Sequence, residues 1–444
     1  AYGSNTHPDF ITPVAHSISA IFMSMARVAL YSQGCRLNHA ETAMLHAQFE
    51  SAGYTVVPFN TPADIIVINT CTVTENGDRD TRQLVNRAVK LSPNSKIALI
   101  GCQSQILKEK LLLLPNVHWV VGNDSKSNLI QYIQEIKTGV HTPKIKRQVF
   151  SMPLSSRPSL HTRANLKLQD GCDFYCSFCV IPFARGPARS RAFDNAIADA
   201  QALVSHGHRE LVITGINVGT YAYEGYRLPD IINALELIDG LARIRISSIE
   251  PTTIDDAVFS RLQTQTKLCR YAHIPLQSGC DTVLARMKRQ YTVQAYTDQL
   301  AKLISWCPDI CIGTDVIVGF PGETEAEFET TYQTIADLPL AYCHVFSYSD
   351  RSITRSSRMI DRVPQAVIQA RSARLRALSQ EKTRAYRKRY LNTQVSVLLE
   401  QQKSGGWVGH TDTFIPVYVP GDHARHDRIS GVIQSYTDKY AIIS

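Results

Sequence analysis

Three apolar runs in the first part of the chain each lead into a cysteine. Residues 28–31 precede Cys35, the run 64–69 (DIIVIN) precedes Cys71, and 96–101 (KIALIG) precedes Cys102. The cysteines lie 36 and 31 residues apart, about one strand–helix–strand step each. Continuous apolar runs of this length read as strands buried on both faces. Between them, 38–52 has helical spacing and stops at Gly53, and 79–90 is amphipathic. Residues 119–122 read as a fourth strand. This alternation predicts a doubly wound parallel sheet. All three thiols would then project from one carboxyl edge, where open sheets of this kind place their sites. Unrelated core cysteines would rarely share that phase. The physical reading is a cluster with three thiolate ligands, favoured by the helix N-termini that follow the loops.

A second trio is tighter. Leu168-Gln-Asp-Gly-Cys172-Asp-Phe-Tyr-Cys176-Ser-Phe178-Cys179 places three cysteines at C-x₃-C-x₂-C just after a predicted strand. Three thiolates on one loop hold three irons of a [4Fe–4S] cluster and leave the fourth open to a ligand. A structural zinc site would want a fourth Cys or His, and none lies near in sequence. Phe178 would shield such a cluster. Downstream, strand candidates at 165–168, 210–214, 243–247, 271–275, 312–317 and 342–346 give six βα units. These are too few for a closed eight-stranded barrel, so a partial barrel is expected, with its site at the carboxyl ends of its strands.

Composition narrows the classes. The chain has 444 residues, 44% of them hydrophobic and 19% charged, which excludes a disordered protein. No run of about 18 apolar residues suggests a membrane span. Eleven cysteines at irregular spacing make a poor disulfide framework and suit a reducing, cytoplasmic setting. Residues 1–24 carry no Lys or Arg ahead of their weakly apolar stretch, unlike a secretory signal, and read as a disordered extension. The stretch 138–160 is rich in Pro, Ser, Lys and Thr and reads as a linker.

The net charge is +8, yet residues 351–400 alone carry twelve Lys or Arg against three Asp or Glu. Within 371–390 the basic residues have helical character and are expected to contact phosphates. After them come short β-like runs at 395–400, 406–408, 414–419 and 428–433, which suggest a small β-barrel of oligonucleotide-binding type.

The C-x₃-C-x₂-C loop after the first strand of a partial barrel resembles that of the radical S-adenosylmethionine (SAM) enzymes. With the first trio added, the chain from residue 26 onward resembles the methylthiotransferases. The strings Gly34-Cys35-Arg-Leu-Asn38 with Glu41, Asn69-Thr-Cys71-Thr-Val-Thr and Cys179-Val-Ile-Pro-Phe-Ala-Arg185-Gly-Pro-Ala-Arg189-Ser-Arg191 look most like the branch acting on threonylcarbamoyladenosine in tRNA. Thr214-Gly-Ile-Asn217, Arg245 through Pro251, Ile274-Pro-Leu-Gln277-Ser-Gly279 and Thr314 through Glu323 match it as well. So does the tail from Val408, which resembles the TRAM domain, an RNA-binding barrel. Departures are Cys280, where the family often has Ser, and Ser352-Ile353-Thr354, where it often has Pro-Gly-Thr.

The resemblance implies an amino-terminal domain over 25–145, a radical SAM domain over 158–388 and a TRAM domain over 391–444. It implies two [4Fe–4S] clusters, one on Cys35, Cys71 and Cys102, the other on Cys172, Cys176 and Cys179. SAM would be cleaved at the second to a deoxyadenosyl radical. Methylsulfide from the first would replace the C2 hydrogen of the adenine at position 37, in the anticodon loop, and an external electron donor would be required. Glu250, Gln277, Ser278, Gly319 and Gly322 follow barrel strands and are expected to bind the cofactor. Arg185, Arg189 and Arg191 are expected to fork to a carboxylate or phosphates. Cys269, Cys307, Cys311 and Cys343 are expected in the core, and Cys280 as a bystander. A monomer is expected. Rival readings are the isopentenyladenosine tRNA branch, the branch modifying an aspartate of a ribosomal protein, and a non-catalytic tRNA-binding protein with structural zinc.

Overall fold

The apolar runs assemble into a six-stranded, all-parallel sheet. Its strands are β1 (Arg27–Ser32), β2 (Thr55–Val57), β3 (Ile65–Thr70), β4 (Lys96–Gly101), β5 (Val117–Val121) and β6 (Gly139–His141), in the order 2-1-3-4-5-6. The structure is a computed structural model and describes residues 26–73, 75–154 and 162–444. The predicted extension over 1–24 lies outside the described residues, as does the end of the predicted linker.

All six positions of β3 are buried, and five of six in β4. That burial follows from helices covering both faces. The helices α1 (Arg36–Ser51), α2 (Glu75–Leu91) and α3 (Cys102–Leu107) follow β1, β3 and β4 in turn. Strand order reverses between β1 and β3, the point at which such sheets bind ligands. Strands β2 and β6 are additions to the sequence reading. Each has three residues and sits at a sheet edge, too short to carry a periodic signal. β6 falls inside the predicted linker, where its pairing with β5 (Trp119 opposite Gly139) extends the sheet.

The second unit has six strands in chain order: β7 (Arg163–Lys167), β8 (Glu210–Thr214), β9 (Arg243–Ile246), β10 (Tyr271–His273), β11 (Cys311–Val318) and β12 (Tyr342–Ser347). Two parallel triplets, β7-β8-β9 and β10-β11-β12, meet where the Ile249 amide donates to the His273 carbonyl at 3.0 Å. Among the described residues no ladder closes β12 onto β7, so the barrel is open on that side. Helix α1 packs against the edge strand β7. A short helix, α4 (Ile181–Arg185), follows the cysteine loop. The expected partial barrel is therefore the observed one. Cys307 and Cys343 are buried in its core.

A 24-residue helix, α5 (Gln365–Lys388), packs on β12 and leads to a closed five-stranded barrel. Its strands are β13 (Gln394–Lys403), β14 (Gly406–Thr411), β15 (Pro416–Pro420), β16 (Arg428–Tyr436) and β17 (Ala441–Ile443). This barrel sits at the starts of the radical-barrel strands. Cys269, Tyr271 and Cys311 share a core with Val397, Leu399 and Ile415. Arg243 donates to the carbonyls of Ser396 and His410, both at 2.7 Å. Arg245 donates to the carbonyls of Asp412 at 3.0 Å and Thr411 at 3.4 Å.

Part of the basic row on α5 is engaged within the protein. Arg371 pairs with Glu323 and Glu325, Arg374 with Glu329, and Lys382 donates to the carbonyls of Ala336 and Leu338. Half-buried positions on a packed helix turn long cations inward. Arg384, Arg387 and Lys388 form no ion pair among the described residues.

Candidate active site

Cys35 precedes the first turn of α1, Cys71 follows β3, and Cys102 opens α3. Their strands β1, β3 and β4 are neighbours, so the three loops emerge side by side. Asn38 ties two of them, donating to the carbonyls of Gln33 at 2.7 Å and Thr70 at 3.0 Å. Gly34, at φ 88°, lies so near Cys71 that a Cβ on it would fall 2.7 Å from the Cys71 Cβ and 2.8 Å from its Sγ. Asn123 Nδ2 approaches the Cys102 Sγ at 3.6 Å. None of the thiols is cross-linked. Burial, then the nearby Cys102 and Cys35, push the Cys71 thiol up to about 11. Thiols that raise one another in this way share a site. A metal or cluster would take them as thiolates, releasing protons.

Beneath this trio lies a largely buried charge network. Arg185, at 0% exposure, donates to Glu41 and Asp170 at 3.0 Å each and to Asn38 Oδ1 at 2.6 Å. Lys167 reaches Glu41 and Asp170 at 2.7 Å each, and Lys126 also pairs with Glu41. Arg189 bridges Asp124 and Asp170. Burial alone would raise the Glu41 and Asp170 carboxyls, but Arg185 and the neighbouring lysines hold both below the usual carboxylate range. Four cations face three carboxylates, and the surplus positive charge stands beside the three thiols. The predicted fork of Arg185, Arg189 and Arg191 is thus to internal carboxylates. Arg191 completes it with Asp199 at 2.9 Å.

The second trio follows β7. The Cys179 amide donates to the Cys176 carbonyl at 3.0 Å, which turns the loop. Two donors point at its sulfurs: the Phe174 amide at Cys172 Sγ, 3.5 Å, and Arg289 at Cys176 Sγ, 3.2 Å. Burial and mutual repulsion push Cys172 up to about 11 and Cys179 up to about 12. Three thiols on one loop and two sulfur-directed donors, with no fourth protein ligand among the described residues, form a donor set that fits a [4Fe–4S] cluster with one open iron.

One cavity of about 410 Å³ is lined by Cys35 of the first trio together with Cys172, Cys176 and Cys179 of the second. Of the residues expected to bind the cofactor, Glu250 and Gln277 are in its wall. Glu250 pairs with Arg289. Gln277 stands at φ 71°, its backbone pinned to β11 by the Asp315 carbonyl at 2.8 Å and the Ile317 amide at 2.9 Å. A non-glycine residue held in that region commonly marks a functional wall.

Ser278, Gly319 and Gly322 are not in the wall. Ser278 is fully buried against Thr331 Oγ1 at 3.1 Å. The Gly319 amide donates to Glu323 Oε2 at 2.8 Å, and a Cβ there would strike Ile368 at 2.3 Å. The Gly322 amide donates to the Asp361 carbonyl. The two glycines shape a turn under α5.

Sequence reasoning missed several wall residues. Arg36, Arg245 and Arg289 line the cavity, as do His273, Asp315 and His344, whose ligating atoms all lie within 4.8 Å of one another. These last three sit on β10, β11 and β12, with Asp315 directly opposite His344. One polar residue on each of three successive barrel strands was the available signal. Arg289 had none before the fold brought it to Cys176.

Residues 166–335 match the radical SAM superfamily, and 27–122 match the uncharacterized protein family UPF0004. The thiol loop at the mouth of the partial barrel therefore defines a radical SAM enzyme, a class that implies a [4Fe–4S] cluster and SAM. The threonylcarbamoyladenosine tRNA methylthiotransferase MtaB of Bacillus subtilis is 38% identical over 89% of this chain and 91% of its own length. The tRNA-2-methylthio-N(6)-dimethylallyladenosine synthase of Protochlamydia amoebophila is 30% identical over 86% of this chain and 87% of its own. The chain belongs to the radical SAM methylthiotransferase family. In fold it is like the radical SAM methyltransferase TsrM of Kitasatospora setae, with a TM-score of 0.55 at 14% identity, over 75% of this chain and 77% of that one. Among the described residues no helix is long and apolar enough to cross a membrane.

Proposed function

We propose that this enzyme converts N6-threonylcarbamoyladenosine at position 37 of tRNA to its 2-methylthio derivative, replacing C2–H by C2–S–CH₃. The observation that carries the reading is the cavity that Cys35 of the first trio shares with Cys172, Cys176 and Cys179. Cys172, Cys176 and Cys179 would hold the cluster that binds SAM, and Cys35, Cys71 and Cys102 a second [4Fe–4S] cluster. Bound there, these groups supply radical chemistry on one side of the base and sulfur on the other.

The chain's own residues would position them. Arg289 donates to Cys176 and, through its pair with Glu250, fixes that carboxylate in the wall. Gln169 Oε1 accepts from the amides of Ile216 at 2.9 Å and Asn217 at 2.8 Å, setting the loop after β8 that forms another part of the wall. α1 packs on β7, the edge strand at the open side of the barrel. The substrate, the anticodon loop, is single-stranded RNA whose bases a protein can splay and stack. The electron donor is external, the setting cytoplasmic and the protein a monomer. Relatives named for threonylcarbamoyladenosine support this substrate over the dimethylallyl one, which is named at lower identity.

The test is nucleoside analysis of tRNA from a strain lacking the gene. The 2-methylthio derivative should vanish, threonylcarbamoyladenosine should accumulate, and the intact gene should restore the product. Loss of 2-methylthio-isopentenyladenosine instead would overturn the substrate assignment.

A further inference from the structure

The charges in the cavity wall do not balance. Three arginines line it: Arg36, Arg245 and Arg289. Arg245 is matched by Glu210 at 2.7 Å and Arg289 by Glu250. The other wall carboxylate, Asp315, lies 3.1 Å from His273. Arg36 is left over. Among the described residues it has neither an ion-pair nor a side-chain hydrogen-bond partner.

Its placement is also locally unfavourable. Arg36 is the first residue of α1, where the helix dipole opposes a cation. It is exposed and stands within the electrostatic reach of two further guanidiniums, those of Arg163 and Arg245, and of Glu210, the carboxylate already paired with Arg245. A residue that breaks local rules without compensation inside the protein marks a place where a ligand compensates. The ligand must be an anion small enough to enter the cavity beside Cys35.

We infer that Arg36 binds the carboxylate of the threonylcarbamoyl group on the substrate base and thereby selects that base. The inference rests on the proposed substrate. In a purine, C2 and the carbon bearing N6 flank the same ring nitrogen. A site that delivers sulfur to C2 must therefore also house the N6 substituent. Arg36 is the chain neighbour of Cys35, so it is placed for that substituent when C2 faces the first trio. Guanidinium and carboxylate match as a two-pronged fork, which a lysine does not reproduce. An uncharged prenyl group would leave the cation without an anion, so the same residue works against the rival substrate.

The experiment uses the reconstituted full chain and three anticodon stem-loop RNAs, with a fourth, carrying prenylated adenosine at position 37, as the rival substrate. Of the three, one carries threonylcarbamoyladenosine at position 37, one carries it with the carboxylate capped as a methylamide, and one carries plain adenosine. Binding constants and single-turnover product are measured for wild type, Arg36→Gln and Arg36→Lys, each with its iron content. Wild type should bind the free carboxylate on the order of 10- to 100-fold more tightly than the amide. Arg36→Gln should bind both RNAs alike, at the amide's affinity, and Arg36→Lys should fall between. If Arg36→Gln weakens all three RNAs equally, the residue contacts phosphate and the inference is overturned. If the glutamine variant loses iron, the lysine variant decides, and an undiminished preference in it overturns the inference. A wild type that forms product on the first RNA but ignores the cap overturns only the role of Arg36. A wild type that forms no product on the first RNA, yet does so on a prenylated one, overturns the substrate assignment as well.

Discussion

Arg185 of the radical barrel donates to Glu41 of the first helix at 3.0 Å, and neither side chain meets solvent. The pair joins two units 144 residues apart in sequence. It also stands next to both thiol trios, since Arg185 ends the helix that follows Cys179 while its guanidinium lies beneath Cys35, Cys71 and Cys102. The placement of one trio relative to the other therefore runs through this contact.

Removing Arg185 should take from two buried carboxylates, Glu41 and Asp170, the partner that holds each most strongly. For Arg185→Met we expect a loss of about 3–5 kcal/mol, the usual result of breaking a buried ionic network. Chemical denaturation would report it. A second substitution, Glu41→Gln, should then cost much less than it does alone, because the carboxylate it removes has already lost its principal partner. Additive losses would show that the two residues act separately.

Stability should depend on acid through the same network. Glu41 and Asp170 have carboxyls held below their unfolded values. Groups of this kind bind fewer protons folded than unfolded. Their contribution is complete above the ordinary carboxylate range, about pH 4, and is lost as pH falls toward their folded values. Unfolding free energy should be flat with respect to these groups near neutrality and drop below about pH 4. In Glu41→Gln the drop should be shallower, as titration of unfolding against pH would reveal.

Iron content separates the two trios. The reconstituted protein should hold about eight irons, and Cys35→Ala/Cys71→Ala/Cys102→Ala about four. Anaerobic iron and sulfide assays measure both. About four irons in each protein would eliminate the second cluster.

Gly34→Ala probes the same site without touching a ligand. Its φ of 88° and the 2.7 Å approach to Cys71 leave no room for a methyl group. We expect loss of about half the iron, since one of two equal clusters depends on Cys71. Full loading with unchanged spectra would mean that the loop yields freely.

Arg289→Met removes a donor to Cys176 Sγ. Hydrogen bonds to cluster sulfurs favour the reduced, more negative state, so their loss lowers the reduction potential. A potentiometric titration followed by paramagnetic resonance should show the shift. An unchanged potential would confine Arg289 to holding Glu250.

What the sequence disclosed follows from how local each signal is. β3 and β4 are continuous apolar runs and could be read directly, together with the cysteines that follow them. β2 and β6 have three residues each and owe their existence to a neighbour already in place. The six ligand candidates were legible because cysteine phase and spacing are one-dimensional. Their surroundings were not. His273, Asp315 and His344 become a group only when β10, β11 and β12 align. The arginines after Cys179 were visible as charge, but their burial among Glu41, Asp124, Asp170 and Asp199 depends on packing. Arg371 and Arg374 in the basic run on α5 misled for the same reason, since counting charges does not reveal partners such as Glu323 and Glu329. Ser278, Gly319 and Gly322 were drawn in by position after a strand, whereas the packing of Ser278 on Thr331 and of Gly319 on Ile368 is invisible in one dimension.

Arg243 and Arg245 grip the small terminal barrel by its peptide carbonyls, at Ser396, His410, Thr411 and Asp412. A carbonyl is present whatever side chain occupies the position. Mutations at Ser396 and His410 can therefore accumulate without loosening those bonds, whereas Asp412 also holds Arg270 through its carboxylate. Natural variation at the first two leaves this part of the docking geometry to be inherited intact.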